Sequence, residues 1–356
     1  MIKPRVMITG AAGFIATSFW RQFSHKYDLF GIDKYGYASQ TDERRTRCIT
    51  DRFQIVEGDC ADFGVVSDAL DDAGALYSGY PATYPTVDKL LVLHSETHND
   101  NSLKSPVEFY RSNVIGLVNA LEAARCHLIP RVYVVVTDEV LLHWEPEDDA
   151  PMYCGNHFQQ YYKSGRAFYR VLEYDSIIDT IYNPTSPYSS SKACQEMIVN
   201  AYRKSYGMDI VVIRPTNVYG PGQYPEKLIS KGITDLLNGK KVQVYGEGAQ
   251  WRDYTYVSDT CDALDLIISQ EAPAHLYHIA ANDERQNIET VREILKQLDK
   301  SEDFIEYIED PRKGAHDFSY SLSSARIRDL GWAPKVEFST GISRTIQYYK
   351  DKLSGQ

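Results

Sequence analysis

The stretch Ile8-Thr9-Gly10-Ala11-Ala12-Gly13-Phe14-Ile15-Ala16 decides the fold of this chain. It joins a short apolar strand at 6–9 to a helix that is predicted over about 14–25. The two glycines permit a tight turn and a close backbone approach to a pyrophosphate, which the helix N-terminus then stabilises. Because glycine turns are also common in ordinary loops, the sequence around this one carries the interpretation.

Strands and helices alternate after the glycine turn. Helical periodicity runs through 107–124. Apolar runs of strand length lie at 29–33, 53–56, 90–93, 132–136 and 210–213. This alternation predicts βαβ units and therefore the α/β class, with a Rossmann-type doubly wound parallel sheet.

The character of the chain changes after Arg214-Pro215, where proline and glycine cluster in Tyr219-Gly220-Pro221-Gly222. We therefore predict a Rossmann domain over 1–214 and a smaller C-terminal α/β substrate lobe over 215–356. The lobe should lie over the carboxyl ends of the strands, where such sheets bind ligands. We expect some of its elements, such as 276–279, to return to the main sheet.

Composition narrows the class of protein. The chain has 356 residues, 43% of them hydrophobic and 24% charged, and its net charge of −11 argues against nucleic acid or an anionic membrane as a main partner. Its apolar runs are too short to span a bilayer, and the N-terminus has no signal-peptide pattern. The six cysteines lack metal-type spacing, so we expect reduced thiols, no metal and a cytoplasmic location.

The cofactor is predicted from carboxylates at strand ends. Asp33 ends the second strand about 20 residues after Gly13, where it can accept hydrogen bonds from ribose hydroxyls and repel a 2′-phosphate. This favours NAD over NADP, although Lys34 follows directly. Asp59 ends the third strand, where it can meet the adenine.

Two further stretches carry acid/base chemistry. In Tyr188-x-x-x-Lys192 the two side chains share one helix face, and the ammonium favours the phenolate. Thr137-Asp138-Glu139 follows an apolar strand and offers two adjacent carboxyls; the alternative for that doublet is a solvated acidic turn. An alcohol oxidation needs only the tyrosine and lysine. Both stretches together suggest an oxidation followed by an elimination.

With these residues identified, the chain resembles the extended short-chain dehydrogenase/reductase superfamily, and within it the nucleoside-diphosphate-glucose 4,6-dehydratases, particularly those acting on dTDP-glucose. The acidic doublet is more selective than the glycine turn or the tyrosine–lysine pair. The main matching segments are Thr137-Asp138-Glu139-Val140, Ser186-Pro187-Tyr188-Ser189-Ser190-Ser191-Lys192, Pro225-Glu226-Lys227-Leu228-Ile229 and Arg252-Asp253-Tyr254.

The resemblance implies a redox-neutral cycle on a hexose. Tyr188, with Lys192 and Thr137 beside it, would take the proton of the C4 hydroxyl while hydride passes to NAD⁺. Glu139 would remove the C5 proton, Asp138 would protonate the leaving C6 hydroxyl, and hydride would return to C6. Two carboxyls with opposite roles must differ in protonation at one pH.

The resemblance also assigns binding residues. For the cofactor they are Gly10, Gly13, Phe14, Ile15, Asp33, Lys34, Asp59, Cys60, Ser95, Thr97, Ser112, Tyr188 and Lys192. For the substrate they are His98, Asn217, Lys227, Leu228, Gln243, Tyr245, Arg252, Asn287, Arg312 and His316. It further implies a homodimer, formed through helices within 107–124 and 192–206.

One segment departs from the family pattern, because the chain between the acidic doublet and Tyr188 is longer than usual by roughly two dozen residues, at about 145–182. Aromatic and apolar residues at 158, 161, 162, 168, 169 and 172 fit a helix face. Three interpretations remain open: a surface insertion with its own packing, a lid over the sugar site, and a contact for another protomer or partner. His94 is a second departure, where small residues are usual.

The functional alternatives also stay open. An NDP-sugar 4-epimerase or a UDP-glucuronate decarboxylase would keep the tyrosine–lysine pair, but the acidic doublet speaks against both. A different class is a catalytically silent NAD-binding protein that contacts a partner through the extra segment. Within the dehydratase interpretation, dTDP-glucose is the favoured substrate and UDP-glucose the second candidate.

Overall fold

The structure is a computed structural model, which describes residues 3–40, 53–75, 86–142, 158–163, 166–173, 180–270 and 273–355. The first part of the chain alternates strands with helices. Its elements are β1 Arg5–Thr9, α1 Phe14–Phe23, β2 Asp28–Asp33, β3 Phe53–Glu57, α2 Phe63–Ala75, β4 Lys89–Val92, α3 Asn99–Lys104, α4 Pro106–Phe109, α5 Gly116–Cys126, β5 Arg131–Val135, β6 Phe158–Lys163, β7 Arg166–Val171 and α6 Pro187–Tyr206. A π-helical turn, Tyr110–Ile115, joins α4 to α5, and a 3-10 turn, Asp138–Val140, follows β5.

The later part has slightly shorter strands than the first part but equally long helices, so the proline and glycine content does not shorten all of its elements. They are β8 Ile210–Pro215, β9 Asn217–Tyr219, α7 Leu228–Leu237, β10 Val242–Tyr245, β11 Trp251–Tyr256, α8 Val257–Ser269, β12 Leu276–Ile279, β13 Glu284–Gln286, α9 Asn287–Gln297, β14 Ile305–Ile308, α10 Ala325–Asp329 and α11 Phe338–Ser354. In the part of the chain that the structure describes, no helix combines the length and apolar character needed to cross a membrane.

The main sheet has seven strands in the order β12-β8-β5-β4-β1-β2-β3. Along this order, every neighbouring pair of strands from β8 through to β3 is parallel. All six strands predicted from apolar runs are present, and β12 joins the edge as expected. The chain order reverses between β1 and β4, so a crevice opens at the carboxyl ends of these two strands, where doubly wound sheets bind dinucleotides.

The chain divides into two compact units, each built from three segments. The first unit contains Met1–Thr137, Ser186–Ile213 and Ile268–Leu276. The second contains Asp138–Thr185, Arg214–Ile267 and Tyr277–Gln356. One crossing between the units, at Ile213 and Arg214, lies beside the sequence-based boundary. The division into the continuous ranges 1–214 and 215–356 stays a prediction.

The second unit has its own hydrophobic core. It contains the parallel pair β10–β14 and a three-stranded sheet in the order β13-β11-β9. Helices α7, α9 and α11 supply buried side chains to one cluster, among them Ile233, Ile294 and Ile342. This core holds the strands that carry four of the ten predicted substrate residues, namely Asn217, Gln243, Tyr245 and Arg252.

The extra segment is not helical where the structure describes it, so the prediction of a helix face was wrong. Strands β6 and β7 form an antiparallel hairpin in which Phe158 pairs with Val171 and Lys163 with Arg166. Tyrosine and phenylalanine favour strands, and the sequence Ser164-Gly165 between the two runs is a turn signal that outweighs the helical spacing. The start of the extra segment, which is acidic at Glu145, Glu147, Asp148 and Asp149, lies wholly outside the described residues.

Candidate active site

The glycine turn closes tightly against the end of β2. The amides of Gly10 and Ala11 both donate to the carbonyl of Ile32, at 2.8 and 3.1 Å. Gly10 has a φ of +72°, and a Cβ built there would lie 2.7 Å from the Cα of His94. Both the dihedral angle and the close backbone approach therefore require glycine at this position.

The side chain of Asp33 stabilises the same turn. Its buried carboxylate accepts hydrogen bonds from the amides of Ala12 and Tyr35, at 2.9 and 2.6 Å, and from the hydroxyl of Ser39 at 3.1 Å. The ammonium of Lys34 pairs with Glu96 at 2.7 Å. Since a carboxylate already neutralises Lys34, this lysine is a weaker attractant for a 2′-phosphate, which agrees with the preference for NAD.

The residues of the glycine turn fit a dinucleotide. Gly13 precedes α1 with extended backbone angles, and Phe14 and Ile15 open the helix, so small residues and a helix N-terminus occupy the crevice between β1 and β4. A helix N-terminus attracts the negative charge of a pyrophosphate, and the missing side chain lets the backbone approach it. These features would hold the pyrophosphate of NAD.

The other predicted cofactor residues cluster in the first unit near the ends of β3 and β4. Asp59 pairs with Arg111 at 3.5 Å. Cys60 is buried, and burial together with the charge of Asp59 raises the pKa of its thiol to about 12, so it stays a neutral thiol. Ser95, Thr97 and His98 follow β4 and are half-buried, whereas Ser112 is buried in the π-helical turn.

Helix α6 places Tyr188 and Lys192. Its N-terminus has a capping box, in which the Ser189 amide donates to the Ser186 hydroxyl and the Ser186 amide donates to the Ser189 hydroxyl; such caps stabilise a helix by about 1 kcal/mol. Proline at 187 suits the first helical position. The cap fixes Tyr188 in the first turn, with Lys192 one turn later on the same face.

Lys192 is buried, and its ammonium donates to the carbonyl of Val135 at 3.1 Å. Burial lowers the pKa of Lys192 to about 7, partly offset by Glu196. Tyr188 is buried too, edge-on to Phe109 with 6.4 Å between ring centroids. The pair therefore lies in a low-dielectric environment where the lysine titrates near neutral pH.

A buried asparagine that sequence reasoning missed connects this helix to the end of β4. Asn113 accepts from the amide of Glu96 at 2.8 Å and donates to the hydroxyl of Ser191 at 2.8 Å. The Ser95 hydroxyl also donates to it, at 3.1 Å. Its signal in the sequence is a polar residue among the apolar positions of the predicted helix 107–124.

His94, which the sequence identified as unusual, is buried behind the glycine turn. Its Nδ1 lies 2.7 Å from the hydroxyl oxygen of Thr9. Burial, reinforced by the charge of Lys192, lowers the pKa of His94 to about 3. The imidazole is therefore neutral at physiological pH and packs as part of the strand ends.

The acidic doublet is buried. Asp138 is 2% exposed and Glu139 7% exposed, both within the 3-10 turn that follows β5. The turn is fixed by the amide of Asn183, which donates to the carbonyl of Val140 at 3.1 Å. These carboxyls therefore do not form a solvated turn.

Arg252 is the central cation of the second unit. Its buried guanidinium donates to the carbonyls of Trp251 and Asp317, at 2.6 and 2.9 Å, and stacks 4.0 Å above the ring of Tyr320. Burial and the charge of Glu139 raise the pKa of Tyr320, so the acidic doublet lies within electrostatic range of this ring.

Two predicted substrate residues, Arg312 and His316, lie beside Tyr245. The ring of His316 meets Tyr245 edge-on at 6.1 Å, and Arg312 lies 5.3 Å from the same ring. His316 also pairs with Asp310. Burial, with the charges of Arg252 and Arg312, lowers the pKa of His316 to about 4, so the two arginines act on one region of the second unit. Arginines grouped in this way suit a diphosphate.

The remaining substrate predictions fall at several places in the second unit. The buried Oδ1 of Asn217 finds no hydrogen-bond partner among the described residues, and its role in substrate binding stays a prediction. Asn287 opens α9 and accepts from Tyr254 at 3.3 Å. Lys227 and Leu228 form the start of α7, whereas Gln243 is exposed and donates to Glu306 at 3.2 Å. In the described ranges, no group of His, Cys, Asp or Glu side chains is arranged to hold a metal ion.

A glycine turn at the switch point of a parallel sheet, with a buried Tyr-x-x-x-Lys pair on a later helix, defines an NAD-dependent enzyme of the short-chain dehydrogenase/reductase class. The chain belongs to the NAD dependent epimerase/dehydratase family, whose profile matches residues 6–280. The resemblance predicted from the sequence is therefore confirmed, and so is NAD as the cofactor.

Two curated relatives and one solved structure show which members of the family this chain is similar to. The chain is 32% identical over 351 residues to a dTDP-glucose 4,6-dehydratase of Mycolicibacterium smegmatis, covering 97% of this chain and 93% of the relative. It is 31% identical to a trifunctional UDP-glucose 4,6-dehydratase/UDP-4-keto-6-deoxy-D-glucose 3,5-epimerase/UDP-4-keto-L-rhamnose-reductase of Arabidopsis thaliana, covering 98% of this chain and 48% of that protein. A crystal structure of a dTDP-glucose 4,6-dehydratase from Streptomyces venezuelae, solved with NAD bound, superposes with a TM-score of 0.81 at 28% identity, covering 99% and 98% of the two chains.

Proposed function

We propose that this protein is an NAD-dependent nucleoside-diphosphate-glucose 4,6-dehydratase, a hydro-lyase that converts its substrate into an NDP-4-keto-6-deoxy sugar. The observation that carries the proposal is the buried doublet Asp138-Glu139 directly after Thr137, in a chain that also has the tyrosine–lysine pair. An epimerase or a simple dehydrogenase has no use for two buried carboxyls at this position. The similarity to curated 4,6-dehydratases over nearly the whole chain supports the same assignment.

The first half of the reaction is an oxidation. When bound, NAD would supply the hydride acceptor for C4 in its oxidised form and the hydride donor for C6 in the reduced form that results. Tyr188 removes the proton of the C4 hydroxyl, and Lys192 favours the phenolate that does so. Thr137, buried at the end of the preceding strand, would orient the same hydroxyl.

The second half is an elimination. The 4-ketone acidifies the C5 proton, which Glu139 removes as a carboxylate. Asp138, in its protonated form, gives a proton to the leaving C6 hydroxyl, so that water departs. When C6 later accepts hydride, Glu139 returns the proton to C5, so that the cycle closes without net oxidation.

The substrate nucleotide is assigned to the second unit. Arg252 and Arg312 would hold the diphosphate, with Asn217 donating or accepting beside them. Tyr245 offers an aromatic face for the nucleoside. The favoured substrate is dTDP-glucose and the second candidate is UDP-glucose.

Mass spectrometry of separate incubations with dTDP-glucose and UDP-glucose tests the proposal. Loss of one water supports a dehydratase, isomerisation without mass change supports an epimerase, and no turnover of either supports a silent binding protein. Glu139→Gln should abolish water loss and leave bound NAD unchanged. Glu302→Gln, at an exposed glutamate, is the matched control and should dehydrate at the wild-type rate. Wild-type turnover in Glu139→Gln would refute the role of Glu139.

We further propose a homodimer formed through the helices around α5 and α6. These helices expose apolar side chains, with Val107 72% exposed and Met197 46% exposed. Ile115 and Tyr206 add to the same helices. Burial of such a surface against a second copy would remove it from water.

We also propose that the enzyme works in the cytoplasm. Cys60, Cys126, Cys194 and Cys261, the cysteines that the structure describes, are free thiols. Free thiols suit a reducing compartment.

A further inference from the structure

Two buried carboxylates face each other in the second unit. Asp253 on β11 and Glu284 on β13 are directly opposite in the antiparallel register, and both side chains are buried. Like charges opposite each other across two strands are destabilising, and burial strengthens the repulsion. Burial and the charge of Glu284 accordingly raise the pKa of Asp253 to about 7. This pair therefore needs a compensating cation.

The cation is Arg170, which the extra hairpin supplies. Its Nε donates to Oε1 of Glu284 at 2.8 Å and its Nη2 donates to Oε2 at 3.0 Å, in the two-bond geometry of a strong arginine–carboxylate pair. A third bond reaches the carbonyl of Asn282 at 3.3 Å. Burial opposes ionisation of Glu284, but the hydrogen bonds and charge of Arg170 outweigh it and lower the pKa of Glu284.

The backbone of the hairpin continues this contact. Val171, the next residue of β7, donates its amide to the carbonyl of Ser321 at 3.0 Å, and its carbonyl accepts from the amide of Ser323 at 2.9 Å. The same segment contacts β11 three residues before Ser321, where the amide of Trp251 donates to the carbonyl of Phe318 at 2.7 Å. The segment 318–323 therefore lies between β7 and β11 and is hydrogen-bonded to both strands.

Arg252 lies between the two residues of β11 that make these contacts: Trp251 bonds to Phe318, and Asp253 lies opposite Glu284. It follows Trp251 and precedes Asp253 on β11, and its guanidinium is held by the carbonyls of Asp317 and Phe318 at 2.9 and 3.3 Å. A shift of β11, or of the segment that contains Phe318, would therefore move this guanidinium. The hairpin contacts β13, the neighbour of β11, through Arg170, and it contacts the segment after Phe318 through Val171.

We propose that Arg170 is a positioning residue for Arg252: by neutralising the Asp253–Glu284 pair and anchoring β7, the extra hairpin fixes the arginine that binds the diphosphate of the nucleotide. The inference rests on the proposed function in assigning a diphosphate to Arg252. It gives the segment that lengthens this chain relative to its family a role in substrate affinity. Arg170 itself touches neither the substrate nor the cofactor.

Calorimetric binding of dTDP to the full-length protein tests this role. Arg170→Met should raise the Kd for dTDP about tenfold, because displacement of a binding group by a fraction of an ångström is costly. The double variant Arg170→Met/Glu284→Gln removes the uncompensated charge and should recover most of that affinity. Arg170→Lys keeps the charge without the two-bond geometry and should fall between wild type and Arg170→Met.

Two controls separate positioning from general loss of stability. Ile267→Ala opens a cavity in α8 and should lower the Tm while leaving the Kd for dTDP unchanged. Arg292→Met removes an exposed two-bond arginine–glutamate pair and should change neither quantity. Bound NAD should stay the same in all variants, since the cofactor residues lie in the first unit.

Wild-type dTDP affinity in Arg170→Met would overturn the inference, and so would a double variant that recovers nothing. If Arg170→Met lacks a folded state, Arg170→Lys and the double variant still decide the question by the same comparison. Failure of the wild-type protein to release water from nucleotide sugars would instead refute the proposed reaction, and the dTDP titrations would be unaffected by it.

Discussion

Nζ of Lys192 lies 3.1 Å from the carbonyl oxygen of Val135, and this hydrogen bond ties helix α6 to the end of strand β5. The helix carries Tyr188, and the strand continues into Thr137. One buried side chain therefore fixes the relation between the helix that supplies the base and the strand end that supplies the threonine.

Lys192→Met is expected to lower kcat by about 10²–10⁴-fold, the contribution typical of acid/base catalysis, because the phenolate loses its nearby ammonium. The amount of NAD that the purified variant retains should fall much less than kcat. Steady-state kinetics of the water-loss reaction and the NAD content of the purified variant measure the two effects. The exposed Lys296→Met is the control. A kcat within twofold of wild type would contradict the role of Lys192.

Gly10→Ala is expected to destabilise the protein by more than the roughly 1–3 kcal/mol of a strained dihedral angle, because its Cβ also meets backbone at 2.7 Å. Gly239 is a matched control, since its φ is +73° but no atom lies within 4 Å of a built Cβ. Chemical unfolding of both variants and their NAD content give the comparison. Equal stability of the two variants would show that the contact with His94 carries no cost.

His94 is expected to make the protein less stable in acid. Its pKa is lowered to about 3 in the folded state, so between about pH 3 and 6.5 the unfolded state binds the extra proton and stability falls as pH falls. The slope from this one group reaches at most about 1.4 kcal/mol per pH unit. The free energy of unfolding, measured from pH 4.5 to 7.5, should change less with pH for His94→Leu than for wild type.

His275→Gln, at an exposed histidine, controls for the removal of any imidazole and should keep the wild-type slope. An identical slope in His94→Leu would mean that His94 titrates normally in the folded protein.

Negative charges introduced by substitution at the proposed dimer surface should weaken the association of the protomers. Val107→Glu/Met197→Glu is expected to raise the dimer dissociation constant by at least about 100-fold, because each carboxylate would have to be buried without a partner. Analytical ultracentrifugation measures it. Leu353→Glu, at an exposed leucine of α11, should leave the association unchanged. A monomeric wild-type protein would refute the dimer, whatever the variants do.

Local sequence patterns were sufficient for the sheet and the cofactor turn. A buried parallel strand is apolar on both faces, so runs such as 132–136 identify themselves, and a glycine turn between strand and helix needs only neighbouring residues. The capping box of α6 and the spacing of Tyr188 and Lys192 are equally local. The helix predicted at 107–124 was found as α4, a π-helical turn and α5, which periodicity alone cannot distinguish from one α-helix.

The extra segment shows where local patterns fail. Its aromatic residues fit a helix face by spacing, yet Phe158 and Val171 pair as strands. Here strand propensity and a turn signal competed with helical spacing, and the hairpin is further fixed by Arg170, which bonds to Glu284 across 114 residues of sequence. No window of sequence contains both partners.

By itself, then, the sequence determined the strands of the main sheet, the glycine turn and the residue types for oxidation and elimination, because each depends on neighbours along the chain. Only the tertiary structure decided that Asp138 and Glu139 are buried, that Asn113 joins the end of β4 to α6, and that Arg170 neutralises an acidic pair beside Arg252. Burial and charge compensation depend on which distant segments pack together, and packing brings those segments into contact only when the chain folds.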